Sequence, residues 1–301
     1  MASGTEFVGN YRLFHLIRAG ATFEIWAVRP KSEDKPFAMK WLPKGKKYDR
    51  STVAELKHEY DVGKGLTHPG VIETFEFGNT KEGAFVLMEF FKTPNLKQHI
   101  VNNLDVIKQG GADQLGCRVR DILVNAAAGI SHMHEKGWVH RDIKPDNLLV
   151  NAANEVRVID FTIAAKPSGG LSKLLGAKTK VQGTYSYMSP EQIRGQGVDP
   201  RDDVYSFGCM VHELLSGGKL PFTANSPNEL LQRHLKSRPP LLTVFDQNIR
   251  PEFAAYVHKL LAKSRADRPG SMKEVKLALK TERIFHQPPK PPAPAAPPAG
   301  G

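Results

Sequence analysis

The sequence predicts an α+β protein with a small, strand-rich amino-terminal lobe and a larger, mainly helical carboxy-terminal one. Three observations point there. Short runs rich in β-branched and aromatic residues fill roughly the first 90 positions, apolar residues recur at helical spacing after Thr93-Pro94, and 301 residues, 40% hydrophobic and 24% charged, are enough for a sizeable core. Strands are expected at 11–17, 23–29, 37–42, 71–77 and 85–90, separated by turn signals such as Gly78-Asn79 and Glu82-Gly83. One helix interrupts them over 51–66, with Ser51 as N-cap and Glu55 in its first turns. Helices follow at 96–104, 115–135, 202–216, 227–235 and 251–262, with short strands at 148–150 and 156–159. A cleft is expected where the lobes join, the usual place for a ligand site.

The predicted boundaries are a lobe over 1–91, a second over 92–286 and a tail over 287–301. The tail reads QPPKPPAPAAPPAGG and holds seven of the 22 prolines with nothing to bury, so it reads as extended and polyproline-like. It serves as a linker or, through its PxxP spacings, as a ligand for a partner with an aromatic groove. The 42 Lys and Arg against 31 Asp and Glu give a net charge of +11, which favours anionic partners: nucleic acid, acidic lipid or nucleotide phosphates. Neither a finger, a recognition helix nor aromatic–basic alternation supports nucleic acid. Two cysteines, Cys117 and Cys209, exclude a disulfide framework and a paired-Cys metal site. With no secretory leader over 1–10 and no apolar run near the roughly 20 residues that span a bilayer, a cytoplasmic protein without a membrane segment is expected.

The residues that carry chemistry begin at His140-Arg141-Asp142-Ile143-Lys144-Pro145-Asp146-Asn147 and continue at Asp160-Phe161-Thr162. These motifs resemble those of the protein kinase family, whose phosphoryl transfer needs a carboxylate to accept or orient a hydroxyl proton, and Asp142 is the candidate. A hard divalent cation at the phosphates needs oxygen ligands, and Asn147 and Asp160 can supply them. In these motifs the chain resembles the protein kinase family of the eukaryotic serine/threonine type, in matching order from about Tyr11 to Ile284. The resemblance implies the bilobal protein kinase fold, ATP with Mg²⁺ (Mn²⁺ as an alternative), and transfer of the γ-phosphoryl group to Ser or Thr hydroxyls of protein substrates. It makes Lys144 the cation beside the transferred group and a mark of serine/threonine rather than tyrosine kinases. Phe37-Ala38-Met39-Lys40 resembles the strand whose lysine pairs the ATP phosphates; between Glu55 and Glu59 on the following helix, Glu59 has the family's spacing to His68-Pro69 and is the expected partner of Lys40. By position, Ile25, Ala38 and Leu149 would sandwich the adenine, Met88 would guard the back of the pocket, and Glu89 to Phe91 would offer backbone groups to its edge.

The resemblance also has gaps. Across 17–25 (IRAGATFEI), where the family has a glycine-rich loop beginning at Ile17, only Gly20 remains; Arg18 and Phe23 replace glycines that would let backbone N–H groups approach phosphates. Arg18 is expected either to add charge near the phosphates or to face solvent, and Glu24 adds an unhelpful negative charge. Thr162 replaces a glycine and should narrow that segment's motion while leaving the metal ligand intact. Gly63, one turn after Glu59, stands where the family has a bulky apolar residue, so its helix is expected to dock loosely or end early. These gaps leave open an alternative, a pseudokinase scaffold that binds nucleotide weakly.

Thr184 in Gly183-Thr184-Tyr185-Ser186-Tyr187-Met188-Ser189-Pro190-Glu191 is expected to touch the Asp142 loop, Glu191 to pair with Arg268, and Asp203 to cap the catalytic-loop backbone. Lys166, Lys173, Lys178 and Lys180 face no acid between Phe161 and Pro190. A phosphate on Thr179, or on Ser172, placed by an activating kinase or by self-phosphorylation, would order that loop through Arg141; alternatively the lysines dock acidic substrates. His132 and His134 are read as packing or surface residues.

Overall fold

The structure is a computed structural model, described over residues 7–46, 48–102, 112–169 and 182–287, with the side chains of 102 and 112–118 excepted. Strands β1 (Phe7–Val8), β2 (Tyr11–Ala19), β3 (Glu24–Pro30), β4 (Phe37–Pro43), β5 (Thr74–Asn79) and β6 (Gly83–Glu89) form one antiparallel sheet in the order β1-β2-β3-β4-β6-β5. Hydrophobic residues that alternate along β2 to β6 put Met39, Trp41, Phe85 and Leu87 with Val8 and Val28 on one face. The other face, with Leu42, Ala84 and Val86, receives Leu56 of helix α1 (Arg50–Gly63). That packing fixes α1, and Glu59 on it, over the strand that carries Lys40.

The second lobe is built on α2 (Leu96–Asn102), α3 (Ala112–Glu135), α4 (Pro190–Ile193), α5 (Arg201–Leu215), α6 (Pro227–Lys236), α7 (Pro251–Leu260) and α8 (Met272–Thr281). A hairpin of β7 (Leu148–Val150) and β8 (Val156–Val158) lies on α3 and carries the catalytic segment. Helix α5 is buried from Asp202 to Leu215, its polar Asp202, Asp203, Ser206, His212 and Glu213 included. Its amino-terminal end therefore offers a rigid, dry place from which to hold a loop.

Several expected boundaries move for identifiable reasons. The N-cap of α1 is Asp49, not Ser51: Asp49 Oδ1 accepts the Thr52 N–H at 2.9 Å in a capping box, and the Ser51 hydroxyl donates to the same carboxylate. The expected strand at 71–77 begins instead at Thr74, because Ile72 donates its N–H to Val158 of β8 and ties this segment to the other lobe. Gly78-Asn79 ends β5 rather than turning; the turn falls after it, closed by the Thr80 N–H on the Gly83 carbonyl, with Gly83 at φ +147°. Strand β1 and helix α8 have no counterpart in the sequence reading. Helix α1 also docks closely rather than loosely: a Cβ on the buried Gly63 would meet Thr74 Oγ1 at 2.3 Å and the Phe161 ring at 3.3 Å. The missing side chain is what lets β5 and Phe161 approach this helix.

Candidate active site

Lys40 lies in the buried middle of β4, between β3 and β6. Its Nζ is 2.6 Å from Glu59 Oε2 and 3.2 Å from Asp160 Oδ1, while Glu55 is exposed on α1. Burial by itself would push the Lys40 ammonium down, but the Glu59 and Asp160 carboxylates outweigh it and hold the group above the ordinary lysine range. Burial likewise works to raise Asp160, yet the Lys40 charge, the Thr162 hydroxyl and His140 keep it below the usual carboxylate range.

Thr162 does more than stiffen the segment. Its Oγ1 lies 2.6 Å from Asp160 Oδ1 and 3.2 Å from both Lys40 Nζ and Glu59 Oε2. A hydroxyl has one proton, so the short contact is the bond donated to Asp160, and Lys40 donates to the threonine oxygen. Asp160 Oδ1 is thereby committed inward, and its Oδ2 takes no protein partner among the described residues. Asp160 holds this pose at φ +68°, a conformation L-residues seldom adopt.

Around Asp142, the Thr184 N–H and hydroxyl both reach Oδ1 at 2.9 Å, and Lys144 Nζ lies 2.6 Å from Oδ2 and 2.7 Å from Thr184 Oγ1. Asn147 donates through Nδ2 to the Asp142 carbonyl at 2.9 Å, which leaves its Oδ1 without a protein partner among the described residues. The Ile159 N–H donates to the Asn147 carbonyl, tying that residue to the strand end beside Asp160. The loop is held from below by Asp203 at the start of α5, whose carboxylate accepts the N–H groups of His140 and Arg141, each at 2.8 Å. His134, read as packing or surface, is in fact a partner of that carboxylate, with Nε2 at 2.8 Å from Oδ2. His132 packs, stacked on His68.

From the other side Gln192 donates to the Arg141 carbonyl at 2.8 Å, which fixes a residue at φ +69°. Ser189, which replaces the family's alanine, is the N-cap of α4 and forms a capping box with Gln192; its S-x-x-Q spacing is a signal that sequence reading passed over. Glu191 and Arg268 pair as expected, at 2.9 and 3.1 Å, fully inside the lobe.

The loop over 17–25 is braced from within and from Lys46. The Gly20 N–H donates to the Phe23 carbonyl at 2.9 Å, and Lys46 Nζ donates to the Gly20 carbonyl at 2.8 Å while pairing with Glu24 at 2.9 Å. Glu24 is thus neutralised, which sequence reading did not foresee. Lys46 gave no signal, because it lies in a loop with no motif. The Phe23 ring sits 5.1 Å from Lys40 Nζ, and Arg18 is exposed on β2 beside Ile25.

Ile17 is exposed, Ala38 is buried opposite Met88, and Leu149 is half-buried on β7. Arg157 was also missed: it donates to the Glu89 carboxylate at 2.9 and 3.1 Å and lies 4.4 Å from the Phe91 ring, so it stiffens the segment expected to read the adenine edge. Thr179 and Ser172 lie outside the described residues, as do Lys173, Lys178, Lys180 and the tail from 288. Arg141 is buried and donates to the Ile163 carbonyl.

Residues 11–279 match the protein kinase domain family. The chain belongs to the protein kinase family. It is 33% identical over 287 residues to the serine/threonine-protein kinase pkn3 of Myxococcus xanthus, covering 91% of this chain and 51% of that protein. It is 29% identical over 284 residues to the serine/threonine-protein kinase PknB of Mycobacterium tuberculosis, covering 93% and 44%. A probable serine/threonine-protein kinase of Streptomyces coelicolor matches at 29% over 273 residues, covering 89% and 39%. The chain therefore spans about half the length, or less, of these curated relatives. Protein kinases use ATP and a divalent metal, and the donor set fits both. Among the described residues Asn147 Oδ1 and Asp160 Oδ2 are hard oxygens without a protein partner, and Lys40 is a cation held beside Asp160. Among the described residues no helix is long and apolar enough to cross a membrane.

Proposed function

We propose that this protein kinase is an active serine/threonine kinase that transfers the γ-phosphoryl group of ATP to Ser or Thr hydroxyls of proteins. The observation that carries the reading is the Lys40–Glu59–Asp160 cluster, with Lys40 held between both carboxylates and one Asp160 oxygen left outward. In this reading Lys40 binds the phosphates, Asn147 and Asp160 hold Mg²⁺, and that ion offsets the charge of the transferring group. Among the described residues no cluster of three or more His, Cys, Asp or Glu side chains suits a metal. Two protein oxygens completed by substrate phosphates suit Mg²⁺, which rarely takes an all-protein cage. Asp142 accepts the acceptor hydroxyl's proton, and Lys144, shared between Asp142 and Thr184, carries positive charge to the same point. Ile17, Gly20, Ile25, Ala38, Met88, Glu89, Phe91 and Leu149 line the nucleotide cleft by position.

The scaffold alternative rests on Arg18, Phe23, Thr162 and Gly63, and no distance around Lys40, Asp142 or Asp160 favours it. Phosphorylation of Thr179 or Ser172 and protein substrates remain parts of the same reading, the first supported by the lysine-rich loop and the second by the names of the relatives. The test is transfer from γ-labelled ATP to a generic basic protein, followed by identification of the labelled amino acid. Asp142→Asn should lower transfer by about 10²–10⁴-fold, the usual contribution of a positioned base. Equal labelling by both chains would refute catalysis at this site.

A further inference from the structure

We propose that the Phe23 ring competes with the nucleotide's phosphates for Lys40, so that this one side chain sets how tightly the phosphates are held. The inference rests on Lys40 as the phosphate-binding lysine. An ammonium has three N–H donors, and here Glu59 Oε2 takes one at 2.6 Å while Asp160 Oδ1 and Thr162 Oγ1 take the others at 3.2 Å each. The half-buried Phe23 ring lies 5.1 Å from the same nitrogen, and the lysine side chain is only 11% exposed. A ring face at that distance attracts a cation and keeps water from it. Phosphate oxygens that are to reach Nζ must therefore displace a neighbour. Of the four, the ring is the one with neither a charge nor a hydrogen bond to lose. The Lys40–Glu59–Asp160 cluster stays whole behind it, so the ring weakens binding without dismantling the site.

The chain holds the ring in place by several independent contacts. The Gly20 N–H closes a tight turn on the Phe23 carbonyl at 2.9 Å. A Cβ on Gly20 would meet that carbonyl oxygen at 2.7 Å, so the turn needs the one glycine that the loop retains. Lys46 then ties both sides of the turn, donating to the Gly20 carbonyl at 2.8 Å and pairing with Glu24 at 2.9 Å. The ring itself packs against the cluster of Leu42, Leu56, Ala84 and Val86, which joins β4 and β6 to α1. Phe23 thus links the loop to the helix that carries Glu59, the partner of Lys40. The glycine that the resemblance expects at this position would supply neither the packing nor a ring face over the ammonium.

Calorimetric titration of the full chain with a non-hydrolysable ATP analogue and Mg²⁺, and separately with adenosine, which lacks phosphates, tests this. Phe23→Ala should tighten the ATP analogue roughly 3- to 30-fold, the span of a cation–ring contact from exposed to desolvated, and leave adenosine within about twofold. Phe23→Leu, which keeps apolar bulk against Leu56 but has no ring face, should tighten the analogue by a smaller factor. Analogue affinity that is unchanged or weaker in both variants overturns the proposal. So does a gain that adenosine shares equally, since the ring would then act on the adenine. Lys40→Ala in the same assay separates the two levels of the argument. If it leaves the analogue's affinity as in the native chain, Lys40 is not the phosphate-binding lysine and the reading beneath the proposal fails. If it weakens the analogue while Phe23→Ala changes nothing, only the role of the ring is overturned.

Discussion

Thr162 stands where the resemblance expects a glycine, and its hydroxyl is the cause of a definite geometry. By donating to Asp160 Oδ1 while accepting from Lys40, it leaves Oδ2 as the carboxylate oxygen without a protein partner among the described residues. Thr162→Val keeps the shape and removes the hydroxyl. Losing a hydrogen bond to a charged group costs about 1.5–3 kcal/mol, so kcat should fall roughly 10- to 100-fold, with Thr162→Ser close to the native chain; steady-state kinetics at saturating ATP would measure both. At this scale the sequence was most legible where chemistry restricts the choice of residue. Lys40, Glu59, Asp142 and Asp160 could be picked from motifs that resemble those of the protein kinase family. Lys46, Arg157 and Gln192 could not, because each works through a backbone carbonyl or a neighbouring charge that only the folded chain brings near.

Among the elements, α1 is the informative one. It bears Glu59, and its last residue, Gly63, is packed where a side chain has no room. Gly63→Ala should therefore destabilise the fold by about 1–3 kcal/mol, the range for overpacking, even though alanine is the better helix former. Thr74→Ala in the same chain should recover part of that loss, because Thr74 Oγ1 is the nearest obstacle; denaturant midpoints of the three chains would show it. The sequence exposed the glycine but not its meaning. Helical spacing marks which face of α1 is buried, whereas the depth of the gap between two elements depends on Thr74 and Phe161, which are distant along the chain. Strand β1 escaped notice because it has two residues, and the start of β5 was misplaced because Ile72 bonds across to the other lobe.

For the whole molecule, buried polar groups in the second lobe set the response to acid. His234 is fully buried between Tyr205 and Phe222, and burial together with the nearby Lys263 charge lowers it to about 3. The unfolded chain binds that proton near pH 6.5, so this contribution to stability is present above about pH 6.5 and is lost as pH falls towards 3. The expected slope from this one group is about 1.4 kcal/mol per pH unit between pH 6 and 4. His234→Gln should lower stability at pH 7 and flatten that slope, as read from urea unfolding at several pH values. The bilobal architecture was legible from the change of periodicity at Thr93-Pro94, because a sheet and a helical core demand different spacings. These buried polar partners were not, since His234 looks like any other residue of an amphipathic helix.

The Lys46 brace has a kinetic consequence. On the nucleotide placement proposed above, release requires the 17–25 turn to lift, and lifting means parting one ammonium from Gly20 and Glu24. Counterions compete for such a partly exposed charge pair, so the residence time of bound nucleotide should shorten as ionic strength rises.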